Sequence, residues 1–428
     1  MKIKYIANAS IFLEGKNTKV LFDPWITFDN HSDSNYYNFP ENRYSKKEIA
    51  DLNPDFIYIS HSHPDHLDEI TLNLFNKNTP IIIADFANAY LKRNLNDIGF
   101  NNILFSKDNR VQMNKNDFCY LEPAATTPEL DSISFFQIDD YKIINLNDNV
   151  SNFEQGERIS KKFGDIDLAF LPYCGFGPYP MSYDSLDKNQ KIKVHKEKVI
   201  KAQDNFVKYI EKINPDYVIP FAGEVLMGGP LKAPVYRYDG SGIGKKQDCV
   251  DNAKKKLNFN YVLMSPGCAF DFTQKKFSGK FVDNDFKENE KYLLEISEKR
   301  GQFEKGGGFH ISEKFQVNLT RSLHKALFNL SQSRLKRELP IPKRRVFLDI
   351  AEQEHLYELD LNNDKVVRFL KTENLGEEFE IFKMNYSMLV ALLTRHVTWS
   401  NIEEDIHYYR KPDVHDSNLE FLMNFLAL

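Results

Sequence analysis

The sequence predicts an α/β chain in which two β-sheets carry helices on their outer sides, followed by a charged helical segment and a small α+β unit. Three observations lead there. Residues 1–150 read as short β-runs joined by turns, helical patterns alternate with later β-runs, and the composition shifts near Val282. "KIKYIANASIFLEGKNTKVLFDPW" reads as three strands, with Gly15 to Asn17 as a hairpin turn. "DFIYIS", "TPIIIADF", "FCYLEP", "SISFFQID" and "YKIINLND" follow as further strands. Helices fit "LDEITLNLFNKN" and "ANAYLKRNLNDIG". A longer helix places Val199, Ala202, Phe206, Ile210 and Ile213 on one face before "YVIPFAG" returns as a strand.

Beyond Val282 the chain is charged and helix-prone, and Gly306 to Gly308 interrupt it. Leu319, Leu323, Leu327 and Leu330 then form a helical stripe, and "PIPKRR" reads as a linker. The tail offers three β-runs ("HLYELDL", "KVVRFLK", "EFEIFKM") and helices from "YSMLVALLTRH" onward. The expected parts are therefore a metal-binding domain over 1–275, a helical segment and linker over 276–345, and an α+β domain over 346–428.

With 42% hydrophobic and 27% charged residues, the composition is that of a globular protein. A net charge of −5 gives no basic field for nucleic acid. No apolar run is long enough for a membrane span, and the N-terminus lacks the apolar segment of a signal peptide. Cys119, Cys174, Cys249 and Cys268 are widely spaced, which suits free thiols in a cytoplasmic protein.

The chemistry concentrates in "YISHSHPDHLD", Tyr58 to Asp68. His61 and His63, two apart on an extended loop after a strand, can turn their imidazoles into one site. Asp65 and His66 can face a second site close by. Imidazole nitrogens and carboxylate oxygens suit zinc, iron or manganese.

His61-Ser62-His63-Pro64-Asp65-His66 resembles the H-x-H-x-D-H signature of the metallo-β-lactamase-fold superfamily, and "VLFDPW" resembles the strand preceding it there. Within that superfamily, "KVLFDPW", "FIYISHSHPDHLDEITL", "TPELD", "YKIINLND", "GPYPMSY" and "YVIPFAG" are similar to the lactamase-like part of the CMP-N-acetylneuraminate hydroxylases. The resemblance runs from Met1 to Pro266. It implies an αββα sandwich holding one or two transition-metal ions. Those hydroxylases also carry a Rieske domain, whose cluster is held by Cys-x-His or Cys-x-x-His pairs. This sequence contains no such pair, so an oxidative reaction would need an external electron donor.

The resemblance assigns Asp148 as the carboxylate bridging two metals. Where the superfamily has a third histidine, Thr127 stands, and no histidine occurs between His66 and His195. The last histidine is replaced near Ala222. Glu224, directly after "PFAG", is the expected substitute ligand, with Glu122, Glu129 and Asp131 as other recruitable carboxylates. Asp23 is expected behind a ligand histidine as a hydrogen-bond partner, Asp65 as both ligand and proton acceptor, and His195 as a helix residue outside the site. Cys174 has no evident activating base.

Three functions follow. The leading one is hydrolysis of a phosphoester, lactone or amide by metal-activated water. The alternative is iron-dependent oxidation related to the hydroxylases, with a small-molecule substrate such as a nucleotide sugar. The third is a non-catalytic binding module with a reduced metal site.

Overall fold

The computed structural model describes residues 1–26, 36–86, 90–105, 108–126, 131–175, 177, 179–227, 244–336 except 301–317, 338, 340–394, 399–402, 406–414, 419, 422–423 and 426. Thr127, Glu129 and Gly306 to Gly308 lie outside them.

Among the described residues, one sheet has eight strands in the order Lys276–Ser278, Ala269–Asp271, Lys2–Ala7, Ser10–Glu14, Lys19–Phe22, Phe56–Tyr58, Ile81–Ile83, Ile103–Phe105. A second has seven, in the order Asn260–Tyr261, Tyr217–Phe221, Leu168–Pro172, Tyr141–Asn145, Ser132–Ile138, Phe118–Pro123, Arg110–Gln112. The hairpin closes at the expected turn, where the Gly15 N–H donates to the Thr18 carbonyl at 2.9 Å.

Side-chain alternation along the strands creates the layers. In Phe56–Tyr58, Tyr58 points into an apolar cluster shared with Phe136, Phe170 and Phe221 of the second sheet, while Ile57 points the other way, towards Leu72, Leu91 and Leu95. In Leu168–Pro172, Phe170 joins the same inter-sheet core, whereas Ala169 and Leu171 face Phe206, Ile210 and Ile213 of the helix Lys188–Ile213. Strands buried on both faces explain why these segments are continuously apolar instead of alternating. Helix, sheet, sheet, helix is the order of layers, as the sequence predicts. One expected helix is shorter than its pattern: after the histidines, only Glu69–Leu72 is helical, capped by Asp68, which accepts from the Thr71 N–H at 2.9 Å.

The chain divides into two compact units. The first comprises Met1–Phe176, His195–Leu226 and Tyr236–Tyr292; the second comprises Gly177–Val194, Met227–Val235 and Leu293–Leu428. The expected helical stripe lies on the helix Leu319–Lys336. Its Leu319, Leu323, Leu327 and Leu330 pack into the second unit's own core with Leu348, Tyr357 and Phe382. That core also takes Tyr183 and Leu186, which no local pattern assigns to it. Its sheet has five strands, in the order Lys365–Leu370, His355–Asp360, Arg345–Ile350, Phe379–Met384, His407–Lys411, two more than the sequence suggests. No helix among the described residues is long and apolar enough to cross a membrane.

Candidate metal centre

The site forms where two strands end. Phe56–Tyr58 runs out through Ile59 and Ser60 into His61, and Tyr141–Asn145 runs into Asp148. The second loop is held by the asparagines flanking Asp148. Asn147 Nδ2 donates to the Ser132 carbonyl at 2.6 Å, and Asn149 Nδ2 donates to the Leu146 carbonyl at 2.8 Å and to Asp131 Oδ2 at 2.9 Å. Asn147 adopts a φ of 49°, a left-handed conformation that asparagine tolerates better than most residues.

His61, His66 and Asp148 each offer a ligand atom within 4.8 Å of the others. Asp148 Oδ2 lies 3.2 Å from His66 Nε2 and 3.8 Å from His61 Nε2. His63 Nδ1 faces His61 Nε2 at 2.8 Å, and Asp65 Oδ2 faces His66 Nε2 at 3.4 Å. Atoms that share one metal at about 2.0–2.1 Å stand roughly 3 Å apart, which is the scale of this cluster.

Behind the imidazoles, one carboxylate serves both inner histidines. His66 Nδ1 donates to Asp23 Oδ2 at 2.9 Å. Ser60 Oγ donates its single proton to the same oxygen at 2.7 Å, which leaves its lone pair to accept from His61 Nδ1 at 2.9 Å. Both rings are thereby held at Nδ1, with Nε2 turned inward. Asp23 Oδ1 also accepts from the Ser60 N–H at 2.7 Å, and Asp23 itself has a φ of 37°.

Charge is unbalanced here. Asp23, Asp65, Asp131 and Asp148 gather around three imidazoles, and the first three are buried. Burial, with the Asp148 charge, pushes the Asp131 carboxyl well above the usual range. Burial pushes His61 well below its ordinary value, helped by His66 and His63. For His66 burial acts in the same direction, but the carboxylates of Asp148, Asp65 and Asp23 hold it well above its ordinary value. His66 Nε2 is buried without a well-formed hydrogen bond, with Asp148 Oδ2 and Asp65 Oδ2 at ion-pair distance. A bare, inward nitrogen among excess carboxylates fits a cation.

The structure thus brings together His61, His63, Asp65, His66, Asp148 and Asp23. Three expectations are redirected. Glu224 is not in the cluster of His61, His66 and Asp148; its Oε1 lies 2.6 Å from Lys246 Nζ in a buried ion pair, and its Oε2 is buried without a hydrogen bond. Glu122 is bound by both Nη atoms of Arg158, with Gln155 Nε2 at 3.0 Å and the Tyr120 hydroxyl. Asp131 stands behind His61, 3.5 Å from Nδ1, on the side away from the cluster's centre. Thr127 and Glu129 fall outside the described residues, and His195 lies half-buried on the helix Lys188–Ile213. Burial and the Asp148 charge push the Cys174 thiol up to about 12, which removes it as a nucleophile at neutral pH. Sequence reasoning missed Ser60, Asn8, Asn149 and Lys246. Of these only Ser60 had a usable signal, its adjacency to His61.

Comparison with known proteins finds relatives over the part of the chain that carries the site. The chain is 26% identical over 230 residues to a Mycolicibacterium smegmatis protein named for a Rieske 2Fe-2S iron–sulfur centre, covering 52% of this chain and 43% of that protein. The chain thus spans less than half the length of that relative. It is 27% identical over 191 residues to a metal-dependent hydrolase of Ligilactobacillus salivarius, covering 43% and 78% of the two chains. The crystal structure of a possible metal-dependent hydrolase from Veillonella parvula aligns with 63% of this chain and 98% of its own, with a TM-score of 0.45 and 13% identity. The family model described as the beta-lactamase superfamily domain matches residues 2–222, more than half of the 428. The chain belongs to the beta-lactamase superfamily and carries its metallo-β-lactamase fold.

Proposed function

We propose that this chain is a metal-dependent enzyme that hydrolyses a phosphoester, lactone or amide. The observation that carries the reading is the buried, unpartnered Nε2 of His66, facing Asp148 Oδ2 and Asp65 Oδ2 at 3.2 and 3.4 Å. His61 Nε2, His63 Nδ1 and Asp148 would hold one ion; Asp65, His66 and the same Asp148 would hold another. When bound, such an ion supplies Lewis acidity and brings the pKa of water towards 7.

The chain's own groups do the rest. Asp23 and Ser60 hold the Nδ1 side of both rings, so each Nε2 would face a bound ion, which would take the place of the proton that the carboxylates favour on His66. Asp148 is partly exposed at the mouth of the site and gives it an open side. Asp65, buried at its floor, is the carboxylate placed to take a proton from the attacking water and pass it to the leaving group.

A second reading is oxidative. It is favoured by the relative named for a Rieske centre and by a donor set richer in carboxylate than a three-histidine zinc site. In that reading the ions are iron and the electrons come from a separate donor.

Elemental analysis of protein purified without chelator, beside a His61→Ala/His63→Ala variant, tests both. One or two zinc or manganese per chain, lost in the variant, supports hydrolysis and leads to a phosphoester and lactone screen. Iron at that stoichiometry supports oxidation. No metal after reconstitution rejects both.

A further inference from the structure

We propose that Asn8 is a positioning residue that holds Asp65 in the metal centre, and that the buried Lys246–Glu224 pair serves to hold Asn8. The inference rests on the metal-dependent reading above.

Asn8 sits in the tight connection between Lys2–Ala7 and Ser10–Glu14, with a φ of 45°. Both halves of its side-chain amide are engaged. Nδ2 donates to Asp65 Oδ2 at 3.2 Å, while Oδ1 accepts from the N–H groups of Gly223 at 2.8 Å and Glu224 at 3.1 Å. The amide cannot be turned over, because a carboxylate only accepts and a backbone N–H only donates. The oxygen it holds is the one facing His66 Nε2. Asn8 therefore ties a proposed ligand to the end of the strand Tyr217–Phe221, in the other sheet.

That anchor is itself built to be rigid. Gly223 has a φ of 128°, and a Cβ there would fall 2.1 Å from Cys174 Sγ, so only glycine brings these N–H groups onto Asn8. The Asn8 carbonyl accepts from the Tyr5 hydroxyl at 2.7 Å. Tyr5 in turn accepts from Lys246 Nζ at 2.9 Å, and Lys246 also donates to the Met264 carbonyl at 2.7 Å and to Glu224 Oε1 at 2.6 Å. Lys246 and Glu224 are 1% and 2% exposed. Two charges so deeply buried need a reason beyond stability, since an apolar pair would serve stability as well. The reason assigned here is that Glu224 fixes Lys246, Lys246 fixes Tyr5, and the closed ring fixes Asn8 against Asp65.

The test substitutes Asn8→Gly, which accepts the positive φ and removes only the amide. Metal binding to the full chain is titrated with Mn²⁺ alone and with Co²⁺, whose visible spectrum reports ligand geometry, and folding is checked by circular dichroism in chelator. The dissociation constant of the most weakly held ion should rise at least tenfold, with an altered Co²⁺ spectrum and an unchanged fold. If Asn8→Gly does not fold, Asn8→Ser is read in the same way. Unchanged binding and spectrum in the folded variant overturn the clamp while leaving the metal reading intact. A wild-type chain that takes up neither ion overturns both.

Discussion

Three dense charged networks lie within the same unit, and one of them is built differently from the other two. At Glu122, acceptors and donors match: Arg158, Tyr120 and Gln155 all point at one carboxylate. At Lys246 the ammonium's three donors meet three acceptors, although Glu224 keeps a second oxygen buried without a hydrogen bond. The cluster at His66 does the reverse. Four carboxyl groups gather on three imidazoles, and His66 Nε2 faces two of them without a well-formed hydrogen bond. Charges paired with opposite charges are complete as structure, whereas several carboxylates gathered on buried imidazoles are completed by a cation. The difference separates structural carboxylates from functional ones, which residue type alone does not.

The comparison can be broken from the self-satisfied side first. Lys246→Met leaves Glu224 buried without its cation, and a loss of about 3–5 kcal/mol is expected in urea unfolding. Lys246→Met/Glu224→Met should lose much less, and a double variant as unstable as the single one would contradict the matched-pair account. On the functional side, Asp23→Asn replaces an acceptor of three hydrogen bonds by an amide that presents donors to the same groups. Metal affinity should fall about 10–100-fold with little change in metal-free stability, as measured by competition with a chromogenic chelator. Asp23→Asn that binds metal like the wild type would remove Asp23 from the site.

The smallest effect concerns pH. Burial would raise Glu122, but Arg158, Tyr120 and Gln155 outweigh it and bring the carboxyl from its ordinary 4.5 down to about 2. A depressed carboxyl stabilises the fold above its unfolded value, and that contribution disappears as the pH falls to the folded one. The stability difference between wild type and Glu122→Gln should therefore be constant above about pH 4.5 and vanish towards pH 2. Arg158 is largely solvent-exposed, so the difference should not exceed ~1 kcal/mol. Urea midpoints measured across that range check it.

How much of this was legible in the sequence varies by element. The strand Phe56–Tyr58 and the buried face of Lys188–Ile213 were readable because burial on both faces, or along one face, leaves a local pattern. His61, His63, Asp65 and His66 were readable as a group because a strand end and one turn carry all four. Asp148 and Asp23 came from resemblance to a family motif and not from any pattern in the residues themselves.

The sequence alone determined the alternation of strands and helices and the donor types of the first motif, because both depend on neighbours a few residues apart. Tertiary structure decided which carboxylates meet those histidines. Glu224 follows a strand end as Asp148 does, yet one lies against Lys246 and the other between His61 and His66. Asn8 joins Asp65 across 57 positions and Gly223 across 215. Charge pairing and hydrogen bonding act over a few ångströms of space, whatever the separation along the chain. Their partners are therefore fixed only when the two sheets have packed.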